Sequence, residues 1–195
     1  MQLGIVFGTF LVIMVAELPD KTMIATLIMG SRYRPVLVWW GATMAFAIHA
    51  ALAVAVGQLL QVLPHQWIEA VTALLFAGGA AYLFFVPEEK EEEQGVQKAE
   101  RARPGLRPVV TAFVVIFIGE FGDLTQILTA NLAAKYHAPA AVFVGAFAGL
   151  TTVAAIGAFS GRALLRVLPL AVIRKVGGVL LAGFAIYSLV TLVRG

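Results

Sequence analysis

Six stretches of the chain are apolar over the length a bilayer demands, about 20 residues each. They run over 3–29, 36–62, 69–86, 108–134, 139–161 and 172–193, and each is predicted to be a transmembrane helix. Four are apolar almost throughout. The first and fourth are interrupted near their middles by acids, in "AELPDKTMIATL" (16–27) and "GEFGDLTQILTA" (119–130). The fold class this pattern predicts is an all-α membrane protein.

Composition agrees. With 61% hydrophobic and 13% charged residues and a mean hydropathy of +0.92, a soluble domain of 195 residues could not hide its apolar surface. The net charge of +3 is too small to argue for a nucleic-acid partner. The chain has no cysteine, which removes disulfides and thiolate chemistry. Its opening, "MQLGIVFGTFLVIMVAEL", lacks a basic region and a small-residue cleavage site, so it reads as a first transmembrane helix rather than a signal peptide.

Between the third and fourth spans, residues 88–107 hold eleven charges in twenty positions, a composition that buries no core and predicts a solvated linker. Eleven of the fourteen basic residues fall in this linker, in the loop after the first span, and between the end of the fifth span and the first turn of the sixth. By the positive-inside rule the linker is cytoplasmic and both termini lie outside. The expected location is a bacterial inner (plasma) membrane.

The chain also matches itself. Residues 16–27 align with 119–130 at an offset of 103, "GQLL" (57–60) with "GRAL" (161–164) at 104, and "LFAGGAAYLF" (75–84) with "LLAGFAIYSL" (180–189) at 105. Each half has three spans, an odd number, so the second half must be inverted relative to the first, as in many secondary transporters. The organisation expected is a three-helix repeat over 1–87, the linker over 88–107 and a second repeat over 108–195.

The inversion makes the interrupted spans informative. Asp20 and Asp123, the only aspartates, occupy equivalent positions, and each follows a glutamate by three residues (Glu17, Glu120). That spacing predicts both carboxylates of a pair on one helix face. A charged group at mid-membrane costs at least ~2.5–3.5 kcal/mol, so four acids at one depth require a compensating ion or proton. Pro19 and Gly122, also equivalent, predict that both helices open there. Gly41, Ala45, His49, Ala53 and Gly57, with Gly145, Gly149, Val153, Gly157 and Gly161, form close-packing ridges on the second and fifth spans. His49 is the polar member of its ridge and is open to two roles, proton relay or a bond to a neighbouring helix.

These motifs resemble the transmembrane protein 165 family of manganese/calcium transporters, in the lysine-exporter superfamily. The family carries Glu-x-Gly-Asp-(Lys/Arg)-(Thr/Ser) twice, in two inverted repeats joined by an acidic cytoplasmic loop. Glu17, Asp20, Lys21 and Thr22 match the first motif; Glu120, Gly122, Asp123, Thr125 and the following Gln126 match the second. Pro19, Met23 and Leu124 depart from it. The resemblance implies a metal site of Glu17, Asp20, Glu120, Asp123, Thr22, Thr125 and Gln126. Lys21 is expected to trim its charge or to hold Glu17 when the ion leaves, and Met23 is an accessory candidate. Oxygen ligands suit a hard divalent cation, and manganese and calcium both remain open.

The expected activity is manganese (or calcium) export in exchange for protons, favoured over sodium. Moving a divalent ion outward against ~100 mV costs about 4.6 kcal/mol, and no nucleotide-binding loop supplies it. An amino-acid exporter of the same superfamily and a passive cation channel are the alternatives. No HExxH, cysteine or Ser–His neighbour points to an enzyme. The partners expected are thus the transported cation, protons and the bilayer, with no permanently bound cofactor and with an oligomer left open.

Overall fold

The computed structural model describes residues 2–18, 20–62, 64–85, 87, 90, 93–94, 96–97, 107–167 and 170–194, leaving out the side chains of 65, 161–167, 170–174, 191 and 194. Pro19 and most of the charged linker lie outside the described residues. Eight long helices follow in order among the described residues: α1 (Gln2–Glu17), α2 (Lys21–Arg32), α3 (Pro35–Leu60), α4 (His65–Phe85), α5 (Pro108–Gly119), α6 (Leu124–Tyr136), α7 (Pro139–Val167) and α8 (Leu170–Arg194). Proline opens α3, α5 and α7, where its missing N–H costs nothing and its fixed φ suits a first turn.

The spans over Pro35–Leu60, Gln66–Phe85 and Pro139–Ser160 are each unbroken and long and apolar enough to cross a membrane. The other two crossings are broken: α1 and α2 meet at 74°, α5 and α6 at 72°. α8 lies along α4, with Gly79 against Leu181, Phe76 stacked on Phe184 at 5.4 Å, and Leu83 and Phe84 against Gly177 and Gly178. Those pairs run in opposite senses along the two helices, so α4 and α8 are antiparallel.

The glycine ridges reveal the remaining directions. A Cβ on Gly41 of α3 would strike the carbonyl of Val109 and lie 2.8 Å from the Ala112 methyl on α5. One on Gly145 of α7 would strike the Val6 carbonyl and lie 2.8 Å from Thr9 Cβ on α1. Val109 and Ala112 are the repeat equivalents of Val6 and Thr9, so the same joint is built twice. Further along, Gly57 abuts Ala130 and Ala133 of α6, and Gly157 abuts Met23 and Thr26 of α2. Hence α3 runs parallel to α5–α6, and α7 parallel to α1–α2. Because α3 reverses the direction of α1–α2, the two broken spans are antiparallel. The repeats are inverted, and each broken span is held by the unbroken ridge helix of the other half.

Candidate metal centre

The two breaks are built alike. Glu17 ends α1 and Glu120 caps the end of α5, while Asp20 and Asp123 occupy the N-caps of α2 and α6 in extended conformations, with ψ 161° and 165°. Across each gap the aspartate N–H donates to the glutamate carbonyl, at 3.0 Å in the first repeat and 3.2 Å in the second. The Glu-x-x-Asp pair therefore straddles the break instead of sharing a continuous helix face, as the spacing alone suggested. The reason is the extended aspartate, which ends the 3.6-residue register on which that expectation depended. Gly122 has φ +78°, the left-handed region where a side chain is strained, and this opens the second break.

Carboxylate oxygens of Glu17, Asp20 and Glu120 lie within 4.8 Å of one another. Glu17 and Glu120 are buried at 0% and 4% exposure, so the cluster faces the protein interior, not lipid. It draws on both repeats. The Thr22 hydroxyl donates across the interface to Glu120 Oε1. Helix C-termini, with their partial negative charge, deliver the glutamates, and this favours a bound cation. Oxygen-only donors of this kind fit a hard divalent ion.

Asp123 stands beside this group. Its Oδ1 accepts from Lys21 Nζ at 3.2 Å, and the same ammonium is 3.7 Å from Asp20 Oδ2. Lys21 thus acts as a tethered cation between an aspartate of each half. A cavity of about 250 Å³ adjoins these residues and Thr125, and extends to Gly79, Tyr82 and Leu83 on the last two turns of α4. That is the end of α4 nearest the linker.

Gln126 turns to a bracing role. Its Oε1 accepts the Gly122 N–H at 2.7 Å, and its Nε2 lies 3.1 Å from His49 Nδ1. His49 Nε2 lies 3.1 Å from the Phe117 carbonyl. A carbonyl can only accept, so Nε2 carries the proton and Nδ1 accepts from Gln126, the neutral tautomer. His49 therefore faces the second broken span, its ring tilted against Phe117 at 5.0 Å between ring centres. The equivalents of Gln126 and His49 in the other half are Met23 and Val153, and these two pack together with Ile24 in a small apolar cluster. Met23 thus sits where Gln126 sits, with an apolar partner in place of the imidazole.

One polar cluster escaped the sequence reading. Glu69, Lys135 and Ser188 meet between α4, α6 and α8. Glu69 is a lone acid with no equivalent acid in the second repeat, so neither the motif nor the duplication singled it out.

The sequence profile of the family described as divalent cation/proton antiporter GDT1 matches residues 5–91 and again residues 108–194. Among curated proteins, the chain is similar to a GDT1-like protein of Synechocystis sp., at 32% identity over 91% of this chain and 93% of that one. It is also 32% identical to a candidate manganese exporter of Vibrio cholerae, over 83% of this chain and 78% of that protein. The chloroplastic protein PAM71 of Arabidopsis thaliana is 27% identical over 95% of this chain and 56% of its own. No solved structure matches the chain.

Proposed function

The chain belongs to the divalent cation/proton antiporter GDT1 family, and from that premise we propose that it exports manganese, with calcium as the second candidate ion, in exchange for protons. The observation that carries this reading is the convergence of Glu17, Asp20 and Glu120 from two inverted halves at the broken centres of their spans. These three carboxylates, with Thr22, hold the ion; Asp123 and Thr125 border it from the adjoining cavity. Gln126 and His49 hold the shape of the second break. Met23, locked among apolar side chains, contributes packing.

Two buried carboxylates and a half-buried third, gathered this closely, repel one another, and either a bound cation or a proton relieves that repulsion. Protons and the divalent ion thus compete for the same oxygens, and that competition is the physical core of antiport. Lys21 is the internal counter-charge. When the ion leaves, its ammonium remains between Asp20 and Asp123 and limits how negative the empty site becomes. The proposed setting is a bacterial inner membrane, with the linker cytoplasmic and the ion leaving on the face of the two termini. The three-helix repeats over 1–87 and 108–195 are the two moving units of this scheme, joined by 88–107.

The test is manganese flux into proteoliposomes with and without a pH gradient. Flux should accelerate when the gradient drives protons the opposite way, and Glu120→Gln should abolish it while the protein still inserts. Flux indifferent to the gradient would show a passive channel. Flux of wild-type rate through Glu120→Gln would place the ion elsewhere.

A further inference from the structure

Glu69 is 5% exposed near the start of α4, and its Oε2 accepts from Lys135 Nζ, at the end of α6, at 2.8 Å. The Ser188 hydroxyl of α8 donates to the same oxygen at 2.9 Å. Lys135 also lies 5.9 Å and 6.0 Å from the ring centres of Tyr136 and Tyr187. One turn deeper, Asn131 donates to the Thr72 hydroxyl at 2.9 Å, again joining α6 to α4. A buried ion pair adds little net stability against well-packed apolar residues, but parting it leaves charges stranded. Such a pair is poor cement and a good latch.

Its position gives the latch something to close. Lys135, Thr72 and Ser188 line a cavity of about 60 Å³ with Thr9 of α1, at the end of the molecule away from the linker. The wider cavity beside Asp20 and Asp123 reaches instead toward the linker end of α4. The cavity that reaches Asp20 and Asp123 thus extends toward the linker end, while the Glu69 cluster ties α4, α6 and α8 together at the opposite end.

The inverted repeat sharpens this contrast. The positions equivalent to Glu69, Lys135 and Ser188 are Arg174, Arg32 and Leu83. Two cations and an apolar side chain cannot form the same lock at the linker-side face, and Arg32 is exposed there. The two halves share their architecture and differ in charge at these positions.

We propose that Glu69, Lys135 and Ser188 form the gate on the linker-distal face, whose ion pair must part before the carboxylates open to that side. This rests on the transport reading above and adds to it the residues that control access.

The cysteine-free chain allows a direct test. Glu69→Cys/Lys135→Cys, joined by a cleavable bifunctional methanethiosulfonate, should bind Mn²⁺ within about threefold of the unjoined variant. Its exchange flux should fall at least tenfold and return on reduction. Full flux through the joined protein overturns the gate, and so does loss of Mn²⁺ binding, which would mean that the pair shapes the site itself. A second measurement needs no flux. Thr72→Cys should react at least tenfold faster with a membrane-impermeant thiol reagent from the linker-distal side when Glu69→Gln is added. Equal rates overturn the gate even where transport is normal. Failure of Mn²⁺ flux in the wild type, with this rate difference intact, would defeat the transport reading alone.

Discussion

Lys21 of the first repeat and Asp123 of the second are 3.2 Å apart, an ion pair that ties the two inverted halves together beside their carboxylates. The same ammonium lies 3.7 Å from Asp20, which gathers with Glu17 and Glu120 within 4.8 Å as the group able to surround an ion. Opposing aspartates at the two N-caps thus have unequal tasks, although their backbones are nearly the same.

Replacing Lys21 with Met should expose what the tethered ammonium does. Removing a positive charge beside the site strengthens attraction for a divalent ion, by an amount we expect to reach about tenfold in Kd, or about 1.4 kcal/mol. Release should slow in step. Calorimetric titration of Mn²⁺ checks the first effect and proteoliposome flux the second. Unchanged affinity would show that the ammonium does not oppose the ion.

Metal affinity should fall as pH falls. Protons occupy the carboxylates that the ion needs, so the apparent Kd for Mn²⁺ rises toward acid and levels off toward alkaline pH. Substituting Glu120→Gln removes one proton-binding group and should flatten that slope. Titrations from pH 6 to 8 read both, and an equally steep slope in the variant would remove Glu120 from the exchange.

The pair formed by Gln126 and His49 is matched, at the repeat-equivalent positions, by the apolar pair Met23 and Val153. Gln126→Met alone strands the His49 acceptor, and His49→Val alone strands the Gln126 amide. The double variant copies the Met23–Val153 pair and should be more stable than the sum of the singles, with a coupling of about 0.5–3 kcal/mol. Thermal unfolding in detergent measures it. Purely additive losses would mean the two side chains act independently. In flux assays across the same pH range, a wild-type profile for His49→Phe would end any relay role for the imidazole.

Gly145→Ala should destabilise the protein by about 1–3 kcal/mol, the usual cost of forcing atoms into a packed interface. The new methyl has the Val6 backbone and Thr9 Cβ in its way, and backbone cannot swing aside. Gly4→Ala is the control, because nothing lies within 4 Å of its Cβ position. Equal melting temperatures for the two variants would show that the ridge is not a close-packed joint.

Much of this protein was already decided along the chain. Apolar runs of bilayer length set the helices, since no other local structure satisfies their backbone inside lipid without a partner. An odd number of spans in each half dictated the inversion, and acids in the middle of two spans marked the candidate site by their cost alone. These are properties of local composition and of counting, so they depend on no contact between distant residues. The tertiary structure decided what depends on distance between residues far apart in sequence. Only there does Asp123 take Lys21 while three other acids gather, and only there does Gln126 find His49 while Met23 finds Val153. Glu69 carries no motif at all: its meaning lies in Lys135 and Ser188, which reach it from two other helices. A side chain's partner is fixed by how helices cross, and helix crossing is set by the glycine ridges acting together, which no single stretch of sequence contains.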